Sequence, residues 1–187
     1  LRTAKLYRKI WMPEGSPLYV YSQRLAERMQ AAYAGQKVRV ELGMTYGEPS
    51  IARAIDRLQA ARVQRLIVLP LYPQYSTTTT ASVADAIAMH ARGMQVQMLH
   101  DYHADAGWAQ AIAASIRAHW AAHGRAEKLV LSFHGIPQRL VNQGDPYAAH
   151  CEGSATAIAS ALGLPRTELL LTYQSRFGRE RWLQPYT

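Results

Sequence analysis

Five short stretches, one alternating at residues 38–42 and four mainly apolar at 66–69, 96–99, 128–131 and 169–173, punctuate this chain, each separated from the next by room for one helix and its turns. Runs of four or five residues rich in Leu, Ile and Val are too short for buried helices and suit strands. Parallel strands need a crossover of a dozen residues or more, which the intervening stretches supply. The resulting order, α-β-α-β-α-β-α-β-α-β, constrains the chain to an α/β fold, a parallel sheet with helices on both faces and right-handed crossovers.

Local signals place the helices. Ser16 followed by Pro17 opens one that runs to about Tyr33, apolar at Leu18, Tyr21, Leu25 and Met29, and Gly35 ends it. A second starts at Pro49 or Ser50 and runs to about Arg62, with Ile51, Ile55 and Leu58 on one face. Others are expected over 79–90, 106–123 and 147–162, the last closed by Gly163 and Pro165. Trp108, Ile112, Ile116 and Trp120 make a stripe that reads as core. Residues 1–16 are mixed, and 66–69 are apolar throughout, as in a strand covered on both faces.

In open parallel sheets, ligands bind beyond the carboxyl ends of the strands. The run 129–131 leads through Ser132 and Phe133 into His134 at such an end. Gly135, Pro137 and then Gly144-Asp145-Pro146 break regular structure as far as a helix beginning near Tyr147. An isolated loop histidine is more often bonded to a neighbouring carbonyl than functional; the residues around this one reverse that weighting.

Ser132-Phe133-His134-Gly135-Ile136-Pro137, with Gly144-Asp145-Pro146-Tyr147 behind it, resembles the histidine motif of the ferrochelatase family, whose members insert ferrous iron into a porphyrin to make haem. Leu69-Pro70-Leu71-Tyr72-Pro73-Gln74-Tyr75-Ser76, followed by Thr78 and Thr79, is similar to the family's Tyr-Pro-Gln-Tyr-Ser loop. Gln174-Ser175-Arg176-Phe177-Gly178 through Trp182-Leu183-Gln184-Pro185 resembles its Gln-Ser-x-x-Gly…Trp-Leu-x-Pro segment, and Met44-Thr45-Tyr46-Gly47 its Met-Arg-Tyr segment, with Thr45 where some members carry arginine. These motifs follow the family's order over nearly the whole chain.

The resemblance implies two Rossmann-like, chelatase-like units facing each other across a cleft, expected at 1–104 and 105–187. Both are incomplete here: the first lacks its N-terminal strand, and the second lacks the C-terminal part that carries a glutamate opposite the histidine. The chain is thus expected to be the middle of a longer enzyme and inactive alone. It also implies the chemistry. His134 is the expected catalytic residue, taking a pyrrole proton, with ligation of the metal as its alternative role. Imidazole exchanges a proton near neutral pH, and its neutral form ligates borderline metals. Met44, Tyr46, Tyr75 and Trp182 are expected to line a pocket that bends the macrocycle, Ser76 and Thr77 to bond a propionate or ring edge, and Arg176 to neutralise a propionate. Fe²⁺ enters as substrate, with no organic cofactor. The alternatives are a cobalt chelatase of cobalamin synthesis, which shares the fold, and a porphyrin- or haem-binding module without turnover.

The net charge of +8 suits nucleic acid, an anionic lipid surface or an acidic small molecule. Lys and Arg are scattered and no nucleic-acid motif accompanies them, so no nucleic-acid partner is expected; a porphyrin carrying two propionates and delivered from a membrane surface accounts for the charge, and so does an acidic remainder of a longer chain. No apolar run approaches the 18 residues of a membrane span, and the opening residues do not read as a signal peptide. The expected location is cytoplasmic with peripheral membrane contact. A single cysteine, Cys151, excludes an internal disulfide, points to a reducing compartment and does not support an iron–sulfur cluster. It reads as a small, partly buried helix residue. His100-Asp101-Tyr102-His103 brings two histidines and an aspartate together, but at a spacing unlike common zinc sites and with no fourth ligand, so it reads as a surface loop. His119 and His123, four apart on a helix without an acidic companion, read as an exposed pair.

Overall fold

The computed structural model describes residues 8–187; the start of the mixed 1–16 stretch, residues 1–7, lies outside the described residues. By contact the described chain forms two compact units, one of residues 8–66 with Asp85–Val96, the other of Ile67–Ala84 with Gln97–Thr187. Helices α1 (Pro17–Ala32) and α2 (Ile51–Ala60) belong to the first unit, while β1 (Arg65–Val68), α3 (Thr80–His90) and β2 (Gln95–Met98) contribute residues to both. The second unit continues with α4 (Ala106–His123), β3 (Leu129–His134), α5 (Gln138–Asn142), α6 (Tyr147–Leu162), a 3₁₀ turn at Arg166–Glu168 and β4 (Leu169–Gln174).

Capping residues start the helices of the first unit where the sequence signals them. Ser16 Oγ accepts from Tyr19 N at 3.2 Å and Ser50 Oγ from Arg53 N at 3.3 Å, each satisfying a donor that the helix leaves free. Helix α2 buries Ala54, Ile55 and Leu58. Helix α1 turns Val20 and Ser22 inward instead of its apolar stripe, so Leu18, Tyr21 and Leu25 are exposed. Residues 38–42, expected as a strand, pair in no ladder among the described residues. The Gln30 side chain takes the ladder's place, its Nε2 donating to Val38 O and its Oε1 accepting from Val40 N.

Strands β1 and β2 pair with each other. Gln95 N donates to Gln64 O and Leu99 N to Val68 O, so both chains advance four residues together and run parallel. Strands β3 and β4 are also parallel, in register from Leu129 opposite Leu169 to His134 opposite Gln174. One face of this second sheet packs under α4 and α6, where Ile158, Ala159 and Leu169 form a cluster with Trp108, Ile112, Ile116 and Leu131. Ala109, Ala113 and Ala155 are fully buried, which permits the two helices to lie close. The other face carries Val130 and Leu170, and both are exposed. Ile67 of the first sheet and Leu69 just beyond it are exposed too, although 66–69 reads as a strand covered on both faces.

At the carboxyl end of β3, Ile136, Tyr147, Cys151, Tyr173 and Leu183 form a second cluster. The segment between Gly135 and Gly144, expected to be irregular, contains α5; Pro137 opens it, at a helix start where the N–H it lacks would have no partner. Cys151 is wholly buried rather than partly, and burial pushes its thiol up to about 12. Because only the thiolate is the nucleophile, an aromatic disulfide reagent at neutral pH is expected to leave the folded protein untouched and to titrate one thiol after denaturation. Immediate labelling of the folded protein would contradict this packing.

A candidate active site at the carboxyl end of strand β3

His134 is the last residue of β3, and its imidazole is exposed. Its Nδ1 lies 2.7 Å from Gly135 O. A carbonyl cannot donate, so in the neutral ring Nδ1 carries the proton and Nε2 the lone pair. The backbone around it is held firmly: Tyr147 Oη donates to His134 O at 2.9 Å, and Gly135 N donates to Gln174 O at 2.7 Å. A Cβ on Gly135 would come within 3.2 Å of Gln174 O and 3.3 Å of Ser175 O, so the turn after His134 sits tight against the end of β4.

His134 borders a cavity of about 440 Å³ whose wall includes Tyr72, Gln74, Ser76, Thr79, Tyr147 and Trp182, a size within the range of small-molecule sites. Trp182 is fixed by its indole N–H, which donates to Phe177 O at 3.0 Å, and by a backbone bridge to Pro137. The loop between β1 and α3 reaches this wall because α6 holds it. Gln74 Nε2 donates to Ser154 Oγ at 2.7 Å, and Ser154 Oγ donates on to His103 O at 2.8 Å.

The strongest anchor is Asp145, only 6% exposed. Its Oδ2 accepts from Ser76 Oγ at 3.0 Å, Thr77 N at 2.8 Å and Thr77 Oγ1 at 2.7 Å, and its Oδ1 from Tyr147 N at 3.0 Å. Burial alone would raise the Asp145 carboxyl, but the bonds from Thr77, Tyr147 and Ser76 outweigh it and hold the group below the usual aspartate value.

His134, Ser76 and Trp182 therefore share one cavity wall. Tyr75 and Thr77 lie on the same loop but outside that lining, and the hydroxyls of Ser76 and Thr77 are engaged by Asp145. Arg176 places its guanidinium 4.4 Å from the Tyr186 ring centroid. Met44 and Tyr46 belong to the first unit, where Met44 bridges to Ser50 and Tyr46 is 87% exposed. Gln74, Thr79 and Asp145 stand in the quoted motifs, but the sequence alone assigns them no role. Thr79 is notable because its buried Oγ1 has no hydrogen-bond partner among the described residues. Asp145 stood in a Gly-Asp-Pro cluster that reads as a turn, and nothing local signalled that its carboxylate reaches a loop so distant in sequence.

The ferrochelatase family model matches residues 1–187. The ferrochelatase of Xanthomonas axonopodis pv. citri (strain 306) is 54% identical over 188 residues, 99% of this chain and 58% of the relative. That of Xylella fastidiosa (strain 9a5c) is 53% identical with the same coverage, and that of Vibrio cholerae serotype O1 50% identical over 190 residues, covering 100% of this chain and 58% of the relative. The chain thus spans about 58% of the length of these relatives. Among solved structures, SirB from Bacillus subtilis with Fe³⁺ superposes with a TM-score of 0.58 at 16% identity, over 88% of this chain and 64% of that one, a likeness of fold.

Proposed function

Since the chain belongs to the ferrochelatase family, we propose that the intact protein inserts Fe²⁺ into a porphyrin, protoporphyrin IX or coproporphyrin III, with loss of two protons, in the last steps of haem synthesis. The observation that carries this reading is the placing of His134 in the cavity lining with its Nδ1 engaged by Gly135 O, which in the neutral ring leaves the Nε2 lone pair to act. A base that removes a pyrrole proton needs that lone pair. So does a ligand that receives the incoming ferrous ion, and a histidine whose other nitrogen donates to a carbonyl is suited to that task as well. Either way, one nitrogen does the work, and its orientation is fixed before substrate arrives.

The ring must be bent so that its nitrogen lone pairs leave the plane, which calls for a rigid wall. Trp182, held by Phe177 O and the Pro137 bridge, and the Tyr75-Ser76-Thr77 segment, tied down through Asp145, supply rigid elements. Met44, Tyr46 and Arg176 complete the proposed porphyrin contacts. The two-unit division at residues 104/105 is part of the same proposal. No helix among the described residues is long and apolar enough to cross a membrane. Exposed Ile10, Trp11, Leu18, Tyr21 and Leu25, with Arg24 beside Tyr21, support peripheral contact with a lipid surface from the cytoplasm.

Anaerobic incubation of the intact protein with Fe²⁺ and each porphyrin is expected to yield the iron porphyrin; no product from either would refute the proposal. Nitrogen donors bind later divalent metals more strongly than iron. Zinc porphyrin is therefore expected to form as well, read by its fluorescence, and its absence under conditions that give haem would count against a nitrogen-centred site.

A further inference from the structure

Asp101 and His103 lie in the loop after β2, and α6 brings His150 to them. The ligating atoms of the three fall within 4.8 Å of one another, the one such group among the described residues. The sequence gives Asp101 and His103 no such companion nearby, which is why they read as a plain surface loop. None of the three lines the His134 cavity.

The hydrogen bonds assign the protons. His103 Nδ1 is 2.7 Å from Asp101 Oδ1, so the ring donates to the carboxylate, and in its neutral form Nε2 carries the lone pair. His150 Nδ1 accepts the Tyr75 N–H at 3.1 Å, so in the neutral ring the proton sits on Nε2. The two rings stack with centroids 3.8 Å apart and planes 10° apart. Gly153 provides the space, since a Cβ there would come within 2.7 Å of His103 Cδ2.

We propose that His103 and His150, with Asp101, bind a borderline divalent cation such as Zn²⁺ or Co²⁺, and that binding displaces the Tyr75 N–H from His150. Two imidazoles and a carboxylate suit such ions and leave a position for water. Donors on one tetrahedral ion sit roughly 3.4 Å apart for bonds of about 2.1 Å. The present spacing closes to that value if the rings fan apart and Asp101, which is exposed, swings in. Displacement follows from proton count. An ion on Nδ1 takes the site of the Tyr75 N–H, and an ion on Nε2 drives the ring proton to Nδ1, which then cannot accept. Occupancy therefore releases a tie on the loop that delivers Ser76 to the cavity wall, and this holds whatever His134 does.

The test is a Co²⁺ titration of the intact protein carrying His134→Ala, followed by its visible absorption. One site is expected, weakened at least tenfold by His103→Asn or His150→Asn. Asparagine keeps each Nδ1 hydrogen bond, as donor at 103 and as acceptor at 150, while removing Nε2. In the otherwise unsubstituted protein, Co²⁺ is expected to broaden the ring NMR signals of His103 and His150, a reading independent of how the variants fold. Affinity unchanged in either variant, or sharp ring signals at saturating Co²⁺, would overturn the site. Amide exchange at Tyr75 is expected to speed several-fold with Zn²⁺; unchanged exchange would overturn the displacement.

Discussion

His134→Ala in the intact protein is expected to lower the rate of Fe²⁺ insertion by about 10²–10⁴-fold, the range spanned by loss of a positioned acid–base group, while porphyrin binding changes by no more than a few-fold. The separation follows from position. The imidazole is exposed at the cavity edge and makes its one side-chain hydrogen bond to the adjacent carbonyl, whereas the wall is built by Trp182, Tyr147 and the 72–79 loop. The backbone carbonyl of residue 134 continues to accept from Tyr147 Oη whatever side chain stands there. Binding is read by porphyrin fluorescence quenching, turnover by anaerobic product formation, and folding by thermal denaturation, where little change is expected. Turnover near the parental rate would demote His134 to a pocket residue and remove the centre of the proposed mechanism.

How much of this was legible beforehand differs between fold and site. Helices 106–123 and 147–162 are found at those bounds, because Asp105 caps the first and Gly163 ends the second with a left-handed φ of 71°. Strand β3 and its delivery of His134 follow from a short apolar run stopped by Gly and Pro. Reading failed where a backbone group could choose between partners. At 38–42 the alternating pattern is that of a strand, but a single glutamine side chain satisfies the groups that a neighbouring strand would have satisfied. At α1 the spacing gives a helix correctly but not which stripe faces in, and Val20 with Ser22 takes that role. The polar anchors were illegible for a different cause. Asp145 with Ser76, and His150 with Asp101 and His103, are joined only by the fold, and no local periodicity records a side-chain bond between distant loops.

Asp145→Ala is expected to destabilise the protein by about 3 kcal/mol, since it leaves the buried Tyr147 amide and Ser76 hydroxyl, and the part-buried Thr77 amide and hydroxyl, without their acceptor. Asp145→Asn retains the shape and one acceptor oxygen, so a smaller loss, about 2 kcal/mol, is expected. The pH dependence identifies the charge as the agent. The folded carboxyl lies below its ordinary value, so its contribution is present above the unfolded aspartate's pKa of about 3.9 and is lost as pH falls through the folded value. The stability gap between the parent and Asp145→Asn, read by urea unfolding, should be full at pH 7 and narrower at pH 3. An equal gap at both values would mean that the asparagine disturbs packing rather than removing a charge-assisted anchor. The functional consequence separates Asp145 from His134. Loosening the 72–79 loop frees Ser76 and Thr79 from fixed positions, so porphyrin affinity should fall together with turnover, whereas His134→Ala spares affinity. A variant at 145 that folds, binds porphyrin as tightly as the parent and still loses turnover would show that Asp145 acts on the chemistry itself and not through the loop it holds.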